Sequence, residues 1–121
     1  MDELDYSKDD FADIIAKDDR YHPRAYTLLV DVVAFLTEQK KAHVSGGEVL
    51  EEFRDRALDL FGPLTYRVLE EWGVKRCEDV GEMMFNLTES RRIAKSEDDT
   101  PEDFTGGYDF GEAFLGPFAV N

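Results

Sequence analysis

The chain has 121 residues, of which 42% are hydrophobic, so we expect one domain with one modest core. It carries 14 basic and 28 acidic side chains, which give a formal net charge of −14. No apolar run reaches the roughly 18–20 residues that span a membrane, and the acidic start is not that of a secretory signal, so we expect a cytoplasmic protein without membrane contact.

The acidic charge is concentrated at the two ends of the chain. Residues 1–19 hold eight acids and two lysines, and residues 96–121 hold seven acids and no base. The core, residues 20–95, is nearly neutral, with thirteen acids and twelve bases. We therefore predict a single domain whose acidic ends keep it in solution, whereas the bases of its core remain free to cluster.

Helical patterning begins near the N-terminus. A short helix is predicted to start at Ser7, with Asp9 and Asp10 favourable in its first turn. Pro23 is suited to the first turn of the next helix. From Arg24 to about Gln39, apolar residues occur on nearly every side, which predicts the central, buried helix.

The third helix is predicted from a capping signal. Ser45 is followed three residues later by Glu48, which is the spacing of a capping box, and a helix to about Leu60 follows. Glu52 lies four residues before Arg56, the order that stabilises an ion pair within a helix. These spacings predict an amphipathic helix with its charges towards solvent.

Two more helices are predicted before the pattern changes. Pro63 opens the fourth helix, and Gly73 ends it. The fifth is predicted over about 78–90, and Arg91 and Arg92 follow its last turn, where the helix dipole favours bases. Its apolar side consists of Val80, Met83, Met84 and Leu87.

After the fifth helix the pattern becomes that of strands. Ile93–Lys95 and Tyr108–Phe110 are predicted as short strands on either side of a polar loop. We therefore predict a mainly α fold of about five helices followed by a short C-terminal β-hairpin. The order helix, turn, helix, strand, loop, strand is that of a winged helix-turn-helix, and the alternative is a helical bundle with an irregular tail.

Several short runs of the sequence together resemble a known family. They are His43-Val44-Ser45-Gly46, Phe61-Gly62-Pro63-Leu64, Glu71-Trp72-Gly73-Val74, Phe85-Asn86-Leu87 and Tyr108-Asp109-Phe110. Over roughly residues 11–114 the chain resembles a family of small uncharacterised proteins found mainly in planctomycetes and verrucomicrobia. Cys77 stands where relatives are expected to carry Thr or Ser, which are better helix caps. The resemblance implies a folded domain and implies no activity or catalytic residue.

The residue types that most often carry catalysis are few and scattered. His22 and His43 do not have the spacing of a metal site, so we interpret them as structural or surface groups. The single Cys77 excludes an intramolecular disulfide and a cysteine-rich zinc site, and the acids beside it oppose a lowered thiol pKa. The acidic stretch 97–103 lacks the spacing of a calcium loop. We therefore expect no catalytic residue, no metal and no cofactor.

Basic residues frame the fifth helix and its C-terminal side. They are Lys75, Arg76, Arg91, Arg92 and Lys95. In a winged helix the turn and the wing contact phosphates, so these bases are candidate phosphate or partner contacts. The helix between them carries acids that would meet phosphates, and Asn86 is its one amide for reading a base edge. We therefore disfavour nucleic acid as the partner.

The C-terminal segment alternates acids with aromatic residues. Its candidate docking residues are Tyr108, Phe110, Phe114 and Phe118. One interpretation is that the segment folds back over the helices and completes the core. A second is that the end from Phe114 is a mobile peptide that docks on a partner. A third is that the acidic tail covers the basic cluster.

The leading functional hypothesis is a non-enzymatic adaptor that binds another protein, because no catalytic set converges and the ends are acidic and aromatic. The alternative is a winged-helix-like nucleic-acid-binding regulator with acidic flanking segments. A third class, an enzyme with a small-molecule pocket, would need a cleft that brings His22, His43 or Cys77 next to carboxylates. The sequence predicts no oligomeric state.

Overall fold

The computed structural model describes residues 9–40, 44–94 and 104–119, and within these ranges the chain is mainly helical and has no β-strand. The α-helices are α1 (Ala12–Lys17), α2 (Pro23–Lys40), α3 (Gly46–Phe61), α4 (Thr65–Glu71), α5 (Cys77–Glu89) and α6 (Phe110–Phe114). Single 3-10 turns at Gly62–Leu64 and Gly116–Phe118 follow α3 and α6. No helix in these ranges combines the length and the apolar character that crossing a membrane requires.

The central helix is α2, as its nearly continuous apolar sequence predicts. Tyr26, Leu29 and Val32 are fully buried, and α2 packs against both α3 and α5. Pro23 occupies the first turn, where its missing N–H removes no helical hydrogen bond. The prediction of a buried helix in this part of the chain is confirmed.

The capping box predicted at the start of α3 is confirmed. The Ser45 hydroxyl accepts a hydrogen bond from the Glu48 backbone N–H at 3.2 Å, and the Glu48 carboxylate accepts one from the Ser45 N–H at 3.0 Å. Lys40 Nζ donates to Glu48 Oε1 at 2.7 Å, and together these hydrogen bonds lower the pKa of Glu48 to about 2. The predicted ion pair between Glu52 and Arg56 is present at 3.2 Å.

Helix α1 begins later than the sequence predicts. The carboxylates of Asp9 and Asp10 accept hydrogen bonds from the N–H groups of Phe11 and Ala12, so these acids form turns ahead of the helix. Phe11 is the N-cap and has a φ of 54°, which is outside the helical region. Ser7, the predicted start, lies outside the described residues.

Residues 9–22, which we call the N-terminal strap, run antiparallel along α5. Successive strap residues contact α5 and its C-terminal end in reverse order: Asp9 with Arg92, Asp18 with Asn86, Arg20 with Glu82, and Tyr21 with Asp79. The strap therefore lies beside the whole length of α5. This is the helix that would read base edges in a winged-helix protein.

Gly73 allows the strap to approach the turn between α4 and α5. Its φ is +88°, and a Cβ at this position would overlap the carbonyl oxygen of Arg20. Next to this contact, the His22 N–H donates to the Trp72 carbonyl at 3.0 Å. The predicted end of the fourth helix is confirmed to within two residues, since α4 ends at Glu71.

The C-terminal segment folds back onto α3 and α4. Phe104, Phe110 and Phe114 are buried, and α6 packs against both of those helices. The Tyr108 hydroxyl donates to the Leu50 carbonyl of α3 at 2.9 Å. Of the three interpretations of this segment, completion of the core is confirmed as far as α6.

The predicted C-terminal β-hairpin is wrong within the described residues. Ile93 and Ala94 form no strand, and Phe110, which the pattern places in the second strand, begins α6. The Asp109 side chain accepts a hydrogen bond from the Glu112 N–H at 3.0 Å. Asp109 therefore caps a helix, and this local hydrogen bond overrides the alternating apolar pattern.

Without this hairpin, the described residues contain no wing of the kind that a winged-helix topology requires. Helices α4 and α5 and the turn between them remain, but such pairs occur in many helical proteins. Lys95 and residues 97–103, which belong to the predicted hairpin, lie outside the described residues. The alternative of a helical bundle describes the observed elements better.

Candidate functional site

The predicted phosphate contacts do not form one patch. Lys75 and Arg76 precede α5, whereas Arg91 and Arg92 follow it. Because α5 has 13 residues, its two ends are about 20 Å apart at the helical rise of 1.5 Å per residue. The structure therefore separates these four bases into two groups, and Lys95 lies outside the described residues.

Arg92 is occupied by the N-terminal strap. Its guanidinium donates to Asp9 at 2.7 Å and to Asp13 at 2.8 Å, and it lies over the Phe11 ring, 4.8 Å from the centroid. The hydrogen bonds from Arg92 lower the pKa of both carboxyls. A phosphate would have to displace two carboxylates to reach this guanidinium, so Arg92 is a structural residue.

Asn86, the amide considered for reading a base edge, is also engaged. Its Nδ2 donates to the Asp18 carboxylate at 2.9 Å and to the Tyr26 hydroxyl at 3.0 Å. An amide nitrogen has two hydrogens, so these two bonds leave none for a nucleic-acid base. The arrangement weighs against α5 as a recognition helix.

Most of the predicted docking residues belong to the core. Phe110 is 4% exposed, Phe114 is fully buried, and the half-buried Tyr108 packs on both rings. The interpretation of this segment as a mobile docking peptide is therefore wrong for Phe114, because its ring fills space beside α3 and α4. Phe118, in the 3-10 turn after α6, is the exception and is 42% exposed.

Cys77 does not have the surroundings of a nucleophile. The side chain is buried at the first position of α5, and its Sγ lies 3.4 Å from the carbonyl oxygen of Tyr108. Burial raises the pKa of this thiol, which disfavours the reactive thiolate. Cys77 is therefore a small core residue between α5 and the C-terminal segment.

His22 is the one histidine within the described residues, and its role is structural. His22 Nδ1 accepts a hydrogen bond from the Arg24 N–H at 3.0 Å, and its ring stacks on Trp72. His43 lies outside the described residues. Over the part of the chain that the structure describes, no three His, Cys, Asp or Glu side chains are grouped as metal ligands.

The corner between α3 and α4 carries the most exposed large apolar side chains of the described residues. Leu60 is 60% exposed and Leu64 is 63% exposed. Leu60 lies in the last turn of α3, and Leu64 ends the 3-10 turn that follows it. We call this pair the Leu60–Leu64 corner.

The backbone of this corner is held by hydrogen bonds and ring packing on its buried side. The buried Thr65 hydroxyl lies within hydrogen-bond distance of two carbonyl oxygens, those of Gly62 at 2.6 Å and Ala57 at 3.2 Å. Phe61 packs edge-to-face on Trp72, with ring centroids 5.5 Å apart. The two leucines are therefore presented by a packed turn.

The exposed charges on the two helices that form the corner are mainly acidic. They are Glu51, Asp55, Asp59, Arg67, Glu70 and Glu71. A pair of exposed apolar side chains on such helices complements a surface that combines apolar groups with lysine or arginine. This surface is the candidate functional site.

Sequence patterning does not reveal this corner. Leu60 follows Ala57 at helical spacing, so the pattern assigns it to the apolar face of the third helix. Leu64 directly follows Pro63, which is predicted to open the fourth helix, so the pattern places it within that helix, but in the structure it precedes it. The available signal in the sequence is the Gly62-Pro63 turn between the two leucines. This turn ends α3, and the apolar side of α3 that packs on the core ends with it.

No family model, no curated protein and no solved structure matches this chain. The resemblance to small proteins of planctomycetes and verrucomicrobia therefore stays a prediction.

Proposed function

We propose that this chain is a non-enzymatic protein-interaction module that binds a partner through the Leu60–Leu64 corner. The exposure of these two leucines on a packed turn carries the proposal, because they are the two most exposed large apolar side chains of the described residues and lie four residues apart on an ordered turn. Because each leucine is already partly covered, burying the remaining 60% or so of it contributes about 1–2 kcal/mol. Two leucines therefore supply about a quarter to a half of the roughly 8 kcal/mol of a micromolar complex.

The charge of the chain indicates which partner fits. With a net charge of −14, a second copy of the chain would be repelled. A partner segment with apolar side chains flanked by lysine or arginine would be attracted by the acids of α3 and α4. The partner that fits is therefore a basic, partly apolar segment of another protein.

The experiment that tests this function starts with capture from native lysate, with and without nuclease, and identification of the bound proteins. The affinity of a purified partner is then measured for the wild type and for the double variant Leu60→Ser with Leu64→Ser. Both side chains are exposed, so the variant keeps the core intact. A matched control changes Leu115→Ser and Phe118→Ser, which lie at the end of α6 and in the 3-10 turn after it and are 47% and 42% exposed.

The expected result is a partner that survives nuclease and whose Kd rises about 100-fold or more in the corner variant. The control variant should bind like the wild type. An unchanged Kd in the corner variant with a loss in the control would move docking to the C-terminal turn and contradict the proposal. Loss of all captured protein after nuclease would instead favour the nucleic-acid alternative.

A further inference from the structure

Four arginine side chains of the described residues share one arrangement. Each guanidinium that lies over an aromatic ring in the described residues also pairs with a carboxylate. The groups are Arg20 with Tyr21 and Asp18, Arg54 with Tyr108 and Asp55, Arg56 with Phe35 and Glu52, and Arg92 with Phe11 and Asp9. The ring contacts the flat face of the guanidinium and the carboxylate pairs with its N–H side. In the Arg56 group, the buried Nε has no hydrogen-bond partner among the described residues.

Two of these groups lie along the contact between the strap and α5. Arg92 closes one end of this contact through its bonds to Asp9 and Asp13. Arg20 lies towards the other end, where its guanidinium bonds Asp18 at 2.7 Å and Glu82 at 3.2 Å. The surface between them is bordered by carboxylates on both the strap and the helix.

A cavity of about 260 Å³ opens between these two arginines. The lining that matters here comprises Asp13, Ile14, Lys17 and Asp18 of the strap and Phe85 and Glu89 of α5. Pockets that hold a drug-sized ligand measure roughly 300–1,000 Å³, so this cavity has the size for a single side chain. Of its three carboxylates, Asp13 and Asp18 already pair with Arg92 and Arg20, so Glu89 is the carboxylate of the lining that has no ion pair among the described residues.

Phe85 is the aromatic ring of this cavity, and it is 58% exposed. Glu89 lies four residues later on α5, so the ring and this carboxylate face the same side of the helix. Among the arginines of the described chain, none lies over the Phe85 ring. The cavity therefore combines an aromatic ring with carboxylates, as the four arginine sites do, and leaves the place of the guanidinium open.

We propose that the cavity between the strap and α5 binds the guanidinium of an arginine side chain from another molecule, stacked on Phe85 and paired with Glu89. Ile14 gives the methylene stem an apolar contact. Arginine is favoured over lysine because a planar guanidinium stacks on a ring and presents several N–H groups at once, whereas an ammonium is a compact and strongly hydrated charge. Lys17 is the competing cation of the lining.

The proposal does not rest on the Leu60–Leu64 corner, and a small probe tests it separately. The full chain, labelled with 15N, is titrated with N-acetyl-L-arginine amide and followed by two-dimensional NMR. The citrulline analogue, which has nearly the same shape and no charge, is the control probe. Because Phe85 and Glu89 are exposed, the variants Phe85→Ala and Glu89→Gln leave the core unchanged.

The arginine probe should shift the resonances of residues 85–89 and the side-chain amide of Asn86 in a saturable way. Phe85→Ala and Glu89→Gln should each weaken binding about threefold or more, and Lys17→Ala should strengthen it about twofold. The double variant of Leu60 and Leu64 should bind the probe like the wild type.

Three results would overturn the proposal. The first is that arginine and citrulline probes shift the same resonances equally. The second is that shifts spread over all acidic surfaces, which is the behaviour of nonspecific attraction. The third is that Phe85→Ala leaves binding unchanged. Equal binding of N-acetyl-L-lysine amide, titrated in the same way, would overturn the preference for a guanidinium.

Discussion

The Tyr21 hydroxyl donates a hydrogen bond to Asp79 Oδ1 at 2.7 Å, across 58 residues of sequence. Both side chains are buried, and the second carboxylate oxygen of Asp79 accepts the backbone N–H of Lys75 at 2.9 Å. Burial and the neighbouring carboxylate raise the pKa of Tyr21, so the phenol stays protonated as the donor. This contact joins the end of the strap to the start of α5.

Removal of this hydroxyl should destabilise the fold. Tyr21→Phe leaves the ring in place but takes one donor away from a buried carboxylate, so we expect a loss of about 1.5–3 kcal/mol in the free energy of unfolding. Urea unfolding followed by circular dichroism measures it. Tyr66→Phe is the matched control, because the half-buried Tyr66 has no hydroxyl hydrogen bond in the described residues. An equal loss in both variants would contradict the assigned role of Asp79.

A side chain at Gly73 should be poorly tolerated. Gly73→Ala combines a left-handed backbone with a Cβ that overlaps the Arg20 carbonyl, so we expect a loss of about 3 kcal/mol or more. Gly106→Ala separates the two effects, because Gly106 also has a positive φ but nothing within 4 Å of its Cβ position. The control should lose about 1 kcal/mol. Thermal unfolding measures both losses. Similar losses of stability in the two variants would show that the Arg20 carbonyl moves away to make room for the Cβ.

Cys77 should be protected from alkylating reagents. Its side chain is buried and its pKa is raised, so we expect iodoacetamide to modify the native protein about 100-fold or more slowly than the urea-unfolded protein. The rate is measured by mass spectrometry of the intact chain. Modification of the native protein at the unfolded rate would mean that the C-terminal segment leaves Cys77 uncovered in solution.

The contact between Arg92 and the strap should make stability fall in acid. Arg92 lowers the pKa of Asp9 below its usual 3.8, so the folded state binds this proton more weakly than the unfolded state. The stabilisation is therefore fully present above pH 3.8, and it is lost as the pH falls through the lowered pKa of the folded state. Arg92→Gln should cost about 1 kcal/mol at neutral pH and show a flatter loss of stability in acid.

Urea unfolding at neutral pH and at about pH 3 measures this difference. Arg67→Gln is the control, because Arg67 is 80% exposed and lies 3.9 Å from Glu71, a geometry that contributes little. The same pH dependence in Arg92→Gln and in the wild type would contradict the assigned contact.

The parts of the fold that are predictable from sequence depend on neighbours within one helical turn. Ser45 and Glu48 cap α3 because both partners lie three residues apart, and Pro23 marks the start of α2 for the same local reason. Residues 78–90 are close to α5 because the apolar spacing and the charges at its ends agree.

The parts that sequence analysis misses depend on partners far along the chain or on competing local bonds. Arg92 pairs with an acid 83 residues away, which no spacing reveals. Asp109 can belong to a short strand or cap a helix, and its hydrogen bond with Glu112 together with the packing of Phe110 and Phe114 on the core favours the cap. Leu60 is exposed although the adjacent Phe61 packs on Trp72, so its exposure depends on which side of the last turn of α3 other elements cover. The candidate site is therefore a product of tertiary packing.

The antiparallel course of the strap has a consequence for the order of folding. Its contacts to α5 join residues 58–83 positions apart, so the strap closes long loops and gains its contacts only when α5 is already in place. We therefore expect the strap to join the native structure late and to open before the rest of the molecule does. Its amide hydrogens should exchange with deuterium sooner than those of α2, whose neighbours assemble around it first.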